Sequence, residues 1–134
     1  MKILLDTHMV IWALTNSPKL PQKAKELLLQ PENDIYFSVI SLWEIEIKRL
    51  IKTDSLPITA QEISDYCKQA GFQLISLQEN SIYKLQDLFR PETEPVHKDP
   101  FDRILICQAI SHDMKFLTHD SLIKGYNSEN ILFV

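Results

Sequence analysis

Lys2-Ile3-Leu4-Leu5-Asp6, together with Lys115-Phe116-Leu117-Thr118-His119-Asp120 near the other end of the chain, decides the fold. The first run is short, apolar and closed by an acid, and it reads as a strand covered on both sheet faces by helices. The second is also of strand length and ends the same way. Between them, helical and strand patterns alternate. Helices are expected at about 8–16 and 20–30, split by Ser17-Pro18, and a strand at Ile35-Tyr36-Phe37-Ser38. A helix follows from Ile40 to Ile51, with Ile40, Trp43, Ile47 and Ile51 as its apolar stripe. Thr59 to Ala70 reads as a helix stopped by Gly71, Phe72 to Ser76 as a strand, and Glu79 to Phe89 as a helix ending before Pro91. A polar, proline-containing loop, Arg90 to Lys98, leads into the helix that starts at Pro100, and the apolar run Ile131-Leu132-Phe133-Val134 completes the chain. Such alternation implies an α/β fold, a mainly parallel central sheet covered on both faces.

The acids are placed unusually. Asp6 and Asp120 stand at the carboxyl ends of strands, where open α/β sheets bind their ligands. Glu44, four residues after Ile40 and three before Ile47, lies on the border of its helix's apolar stripe and faces inward. Asp102 precedes Leu105, Ile106 and Ala109 by three, four and seven residues, in line with a buried face that Asp99 shares. Isolated carboxylates are costly in apolar surroundings, so acids converging there point to a bound hard cation. Each also has a purely structural explanation. Asp99 before Pro100 is an N-cap followed by proline at the first helical position, Asp102 then falls where a capping-box acid would reach back, and for Asp99 the cap reading is preferred. Asp6 and Asp120 suit N-caps, and Glu44 can pair with Lys48 for about 0.2–0.5 kcal/mol.

At 134 residues and 45% hydrophobic content, the chain fits one domain, 1–134, with one core. Asp6 interrupts the first apolar run too early for a secretory signal, and no run is long enough to cross a bilayer, so a soluble, cytoplasmic protein is expected. Cys67 and Cys107 lack zinc-like spacing and read as reduced core residues; His8, His97, His112 and His119 form no zinc pair. A net charge of −4 argues against a general nucleic-acid binder but not against a nuclease, whose clustered acids lower the total while a local basic rim steers phosphates. Lys48, Arg49 and Lys52 form one such rim, and Lys98 with Arg103 a second, supporting one beside the acids.

Four stretches occur in the order and spacing of a PIN-domain ribonuclease: Leu5-Asp6-Thr7-His8, Ser38-Val39-Ile40-Ser41-Leu42-Trp43-Glu44-Ile45, His97-Lys98-Asp99-Pro100-Phe101-Asp102-Arg103 and Leu117-Thr118-His119-Asp120. Within that family the chain most resembles VapC-type toxins of bacterial toxin–antitoxin systems. The resemblance implies a three-layer α/β/α domain that binds Mg²⁺ or Mn²⁺ and cleaves RNA endonucleolytically. By the same resemblance, Asp6, Glu44, Asp102 and Asp120 occupy the four acidic positions. Thr118 supports them by hydrogen bonding, Asp99 is the extra acid of the D-P-F-D-R subgroup, and His8 stands where many relatives carry Asn or Ser. Direct metal ligation is assigned to Asp6 and Asp102, and ligation through water, or orientation of the attacking water, to Glu44 and Asp120. The implied partners are the RNA substrate, a second copy of the chain in a homodimer, and a cognate antitoxin with a segment in an apolar groove for which Trp12, Leu14 and Trp43 are candidates.

Two competing readings remain at this level. A receiver-like phospho-accepting domain also sets acids at strand ends around Mg²⁺, but Asp6 stands alone after the first strand and the final apolar run lacks a lysine. A catalytically silent α/β interaction module would use the acids only as caps.

Overall fold

The computed structural model describes residues 1–52 and 57–134. Its elements follow the alternation expected: β1 (Lys2–Leu5), α1 (Thr7–Leu14), α2 (Gln22–Leu29), β2 (Asp34–Ser38), α3 (Val39–Ile51), α4 (Ala60–Gln69), β3 (Gln73–Ile75), α5 (Glu79–Tyr83), α6 (Pro100–Ser111), β4 (Lys115–Thr118) and β5 (Ile131–Phe133). Two 3-10 helices, Lys84–Asp87 and Ser121–Gly125, complete the set.

All four strand pairings are parallel, and the sheet order is β3-β2-β1-β4-β5. The chain therefore winds outward from β1 in one direction and then restarts beside β1 in the other. That reversal lies between β1 and β4, and a crevice opens outside the carboxyl ends of strands at such a point. The order is not the 2-1-3-4-5 of receiver-like folds, which removes that reading.

Burial on both faces explains the unbroken apolar strands. Ile3 and Leu5 join Met9, Val10, Phe37 and Ile63 in a core beneath α1, α2 and α4. Leu4 and Phe116 join Leu105, Ile106 and Ala109 of α6 in a second core on the opposite face. Cys67 and Cys107 are buried free thiols, one in each core. Helix ends follow local chemistry. Thr59 and Glu62 form a reciprocal capping box on α4, and Gly71 takes the positive φ of +87° just beyond its end.

Two expectations are corrected. The helix from Glu79 stops at Tyr83 and tightens into the 3-10 turn Lys84–Asp87, because Leu88 is drawn into the core and Phe89 exchanges hydrogen bonds with Asn127. On α3, the buried face is Ile40, Ser41, Glu44 and Ile45, whereas Trp43 and Ile51 of the expected stripe are 58% and 74% exposed. The first turn of α3 lies over the site, where the Thr7 hydroxyl donates to Ser41 Oγ at 2.9 Å. That packing turns small polar residues inward and Trp43 outward, onto the edge of Phe101 at 5.1 Å between ring centroids.

Candidate active site

Asp6 follows directly from β1. Its backbone N–H extends the ladder to the Leu117 carbonyl at 3.0 Å, and its extended φ/ψ makes it the N-cap of α1. The carboxylate, 1% exposed, accepts from Thr7 N–H at 2.7 Å on Oδ1 and from the Thr118 hydroxyl at 2.7 Å on Oδ2. Burial nevertheless pushes its pKa up to about 7; the two hydrogen bonds oppose the shift, and the charges of Glu44 and Asp120 add to it. Thr118 ends β4, the strand beside β1, and its oxygen also accepts from Asp120 N–H at 3.0 Å. One hydroxyl thus ties the two acidic strand ends together.

Glu44 reaches the same place from α3. It is buried; its Oε2 accepts from Lys48 Nζ at 2.6 Å, and its Oε1 has no hydrogen-bond partner. Asp102 comes from the first turn of α6, where Asp99 Oδ1 caps the helix by accepting from Phe101 and Asp102 N–H at 2.9 and 3.3 Å. Burial, then the nearby charges of Asp6 and Asp99, push Asp102 up to about 7 against the opposing hydrogen bond from His97. Asp6, Glu44, Asp99 and Asp102 line one cavity of about 370 Å³ with Thr7, His8 and Lys48. Asp120 does not line it, but atoms of Asp120, Asp102 and His97 lie within 4.8 Å of one another. Asp120 Oδ1 accepts from Leu122 N–H at 3.0 Å, capping the 3-10 turn Ser121–Gly125.

His8 sits over Asp6, Nδ1 to Oδ2 at 3.4 Å. Burial lowers its pKa to about 4, so near neutral pH the ring is uncharged and its Nε2 accepts from His119 N–H at 3.3 Å. Trp12 packs against both rings, at 4.7 Å from His8 and 5.9 Å from His119.

His97 is a residue that sequence reasoning left without a role. Its Nε2 lies 3.0 Å from Asp102 Oδ2 and its Nδ1 2.6 Å from the Tyr126 hydroxyl, so one ring links the acid to the far core. It precedes α6 and obeys no periodicity; its only signal was its place five residues ahead of Asp102. The expected basic rim is also different in space. Lys48 is committed to Glu44 and the Arg49 guanidinium to Glu46. Arg103 turns from the cavity, its Nη1 donating to Tyr126 Oη at 3.3 Å and its Nη2 to the Leu88 carbonyl at 3.4 Å.

The donor chemistry fits a hard divalent cation. The cavity presents carboxylate oxygens and no thiolate; one buried carboxylate oxygen is unpartnered, and two acids are held near neutrality by burial and mutual repulsion. Caps and cavity do not compete: Asp6 and Asp99 use one oxygen each as a cap, and Asp120 does the same.

Among solved structures, the chain is similar to VapBC2 from Rickettsia felis bound to a DNA fragment from its promoter, with TM-score 0.67 and 16% identity over 100% of this chain and 98% of that one. It is also similar to a toxin–antitoxin complex from Klebsiella pneumoniae, with TM-score 0.56 and 19% identity over 97% and 95% of the two chains. At these identities the likeness is one of fold. No curated protein sequence matches significantly. The PIN domain model matches residues 3–127, nearly the whole of the chain whose sheet order and acidic crevice are described above, and the chain belongs to the PIN domain family.

Proposed function

We propose that this PIN domain is a divalent-metal-dependent endoribonuclease and the toxin of a type II toxin–antitoxin pair acting in the cytoplasm. The observation that carries the reading is the cavity in which Asp6, Glu44 and Asp102 crowd together at the sheet's reversal point, with Glu44 Oε1 unpartnered. Mg²⁺ or Mn²⁺ bound there would supply Lewis acidity to a phosphodiester and compensate charge on the departing oxygen. Asp6 and Asp102 would hold the ion, and Thr118 and His97 fix the orientation of those two carboxylates. Glu44 and Asp120 orient the water that attacks phosphorus, Glu44 through its free Oε1. The P–O bond opposite the attacking water breaks, and no side chain forms a covalent link to the substrate.

The partner reading rests on the two similar structures, both described as toxin–antitoxin assemblies or components of one. An antitoxin segment would lie along the apolar side chains flanking the cavity, with half-buried Trp12 on one side and exposed Trp43 on the other. A homodimer is part of the same proposal. Among the described residues no helix is long and apolar enough to cross a membrane.

Purified protein, free of antitoxin, is expected to cut single-stranded or loop RNA in Mn²⁺ and not in EDTA. Asp102→Asn should lower that rate by at least about a hundredfold, as expected for a lost ligand, while the variant stays folded. Cleavage by Asp102→Asn at the wild-type rate would remove Asp102 from the site. Absence of any Mn²⁺-dependent cleavage by the wild type across structured and unstructured RNAs would defeat the nuclease reading.

A further inference from the structure

A second hollow, of about 350 Å³, lies on the other side of His97 and is walled by Arg90, Glu94, Lys98 and Arg103. Arg90 is its unusual member. Its side chain is only 7% exposed, yet its Nε, Nη1 and Nη2 have no hydrogen-bond partner. The guanidinium lies 5.4 Å from the centroid of the Tyr126 ring, and that of Arg103 lies 5.6 Å from the same centroid. Gly125 leaves the room: a Cβ there would stand 2.7 Å from Arg90 Nη2. A buried guanidinium with five unused donors is costly unless an anion completes it.

The chain brings one anion close. Glu94 N–H bonds the Pro91 carbonyl at 3.0 Å, and this turn carries the Glu94 carboxylate to 3.9 Å from Arg90 Nη2. That separation exceeds hydrogen-bonding distance, and the Glu94 side chain is 44% exposed. Glu94 therefore screens Arg90 without satisfying it.

We propose that Arg90, with Lys98 and Arg103 beside it, is a phosphate subsite for the RNA strand, and that Glu94 is a displaceable stand-in for the phosphate. This rests on the nuclease reading above and adds to it the place where the strand is held. The position suits that role: His97 lines the hollow and its Nε2 is 3.0 Å from Asp102, so a strand with one phosphate over the acids passes a neighbouring phosphate over Arg90. The chemistry suits it too, because a guanidinium fork matches two phosphate oxygens and Lys98 adds a point charge. An acidic segment of a protein partner would answer the same charge. Continuity with the acidic cavity favours a nucleic-acid strand, because on the nuclease reading a phosphodiester already lies over the cation that those acids would hold, and the same strand supplies the neighbouring phosphate.

The test is binding of a fluorescent single-stranded RNA octamer to the full chain in EDTA, where nothing is cut, across a range of salt concentrations. Arg90→Gln should weaken binding about five- to tenfold and reduce the slope of log K against log salt by about 0.7, the share of one phosphate contact on a single strand. Glu94→Gln, a surface change that leaves Arg90 in place, should tighten binding about threefold by removing the competitor. Wild-type affinity and slope in both variants would overturn the subsite and leave the nuclease reading standing. If the wild type binds no RNA at all in EDTA, the subsite falls, while cleavage in Mn²⁺ decides the nuclease reading separately. If Arg90→Gln loses affinity for a glutamate decamer and none for RNA, the hollow serves a protein partner and the proposal is wrong.

Discussion

Two clusters of buried polar groups lie side by side at the carboxyl end of the sheet, and they are built on opposite terms. At the end of β2 the Ser38 hydroxyl donates to Gln108 Oε1 at 2.6 Å and accepts from Ile40 N–H at 3.0 Å, while Gln108 Nε2 donates to the Ser76 carbonyl at 3.3 Å. Both side chains are fully buried and both are satisfied, so the cluster ties β2, α3, α6 and the end of β3 together. One strand away, at the ends of β1 and β4, carboxylates crowd with too few donors: Glu44 Oε1 has none, and Asp6 and Asp102 are pushed up to about 7. Neutral groups can complete one another within the chain, whereas a cluster of acids needs protons or a cation from outside. The first cluster supports the fold at all times. The second holds repulsion that a bound cation would relieve, and on the proposed function that is its purpose.

Breaking the satisfied cluster should have the largest effect on stability. Gln108→Ala removes two hydrogen bonds, strands the Ser38 hydroxyl and leaves a cavity, at a cost of about 2–4 kcal/mol. Urea denaturation would read this as a lower midpoint with an unchanged slope, and saturating Mn²⁺ should still stabilise the variant as much as the wild type. An undiminished midpoint would show that the Ser38 and Gln108 pairing contributes nothing, and a lost Mn²⁺ response would show that the two clusters are one.

The pH dependence of metal stabilisation sharpens the contrast. Folding raises Asp6 and Asp102 from 3.8 to about 7, so between those values the folded chain holds protons that the unfolded chain has released. Their contribution to metal-free stability is fully present below about pH 4 and is lost as pH rises through 7. His8 acts in the opposite sense. Its folded value of about 4 against 6.5 gives a contribution present above 6.5 and lost as pH falls through 4, which flattens the metal-free profile. A cation held by these acids would have to displace their protons, so the shift in Tm caused by a fixed Mn²⁺ concentration should at least halve between pH 8 and pH 6. At a free concentration a hundred times Kd, the stabilisation at pH 8 would be about 2.7 kcal/mol. A shift that is constant from pH 6 to pH 8 would mean that these acids do not hold the ion.

How much of this was legible depends on whether a residue belongs to a periodic element. Asp6 and Asp120 could be placed because each closes an apolar run, and Asp102 because α6 is regular. Glu44 was rightly turned inward although the stripe used to orient it included Trp43 and Ile51, which are exposed; the border position tolerated that error. His97 and Arg90 were illegible as partners of anything. They lie at the two ends of the loop before Asp99, and what gives them roles is Tyr126, which is 29 residues beyond His97 and follows a 3-10 turn without a pattern of its own. The same contact with a distant segment ended the helix from Glu79 early, at the point where Leu88 and Phe89 turn to the core and to Asn127.

The smallest effect is expected where cap and cavity share one side chain. Asp99 uses Oδ1 to cap α6 and adds negative charge that helps to raise Asp102. Asp99→Asn keeps the capping oxygen, so stability should change by no more than about 0.5 kcal/mol, whereas Asp99→Ala should cost about 1 kcal/mol. Removing the charge lets Asp102 ionise more readily, yet it also weakens the field that attracts the cation. These effects oppose each other, and cleavage in Mn²⁺ by Asp99→Asn should stay within about fivefold of wild type, a difference of roughly 1 kcal/mol in barrier. Parallel measurement of Asn and Ala variants separates the two duties. If Asn is as destabilising as Ala, the cap does not operate through that oxygen. If Asn abolishes cleavage as Asp102→Asn is expected to do, Asp99 holds the ion itself and belongs with the unsatisfied cluster rather than with the structural one.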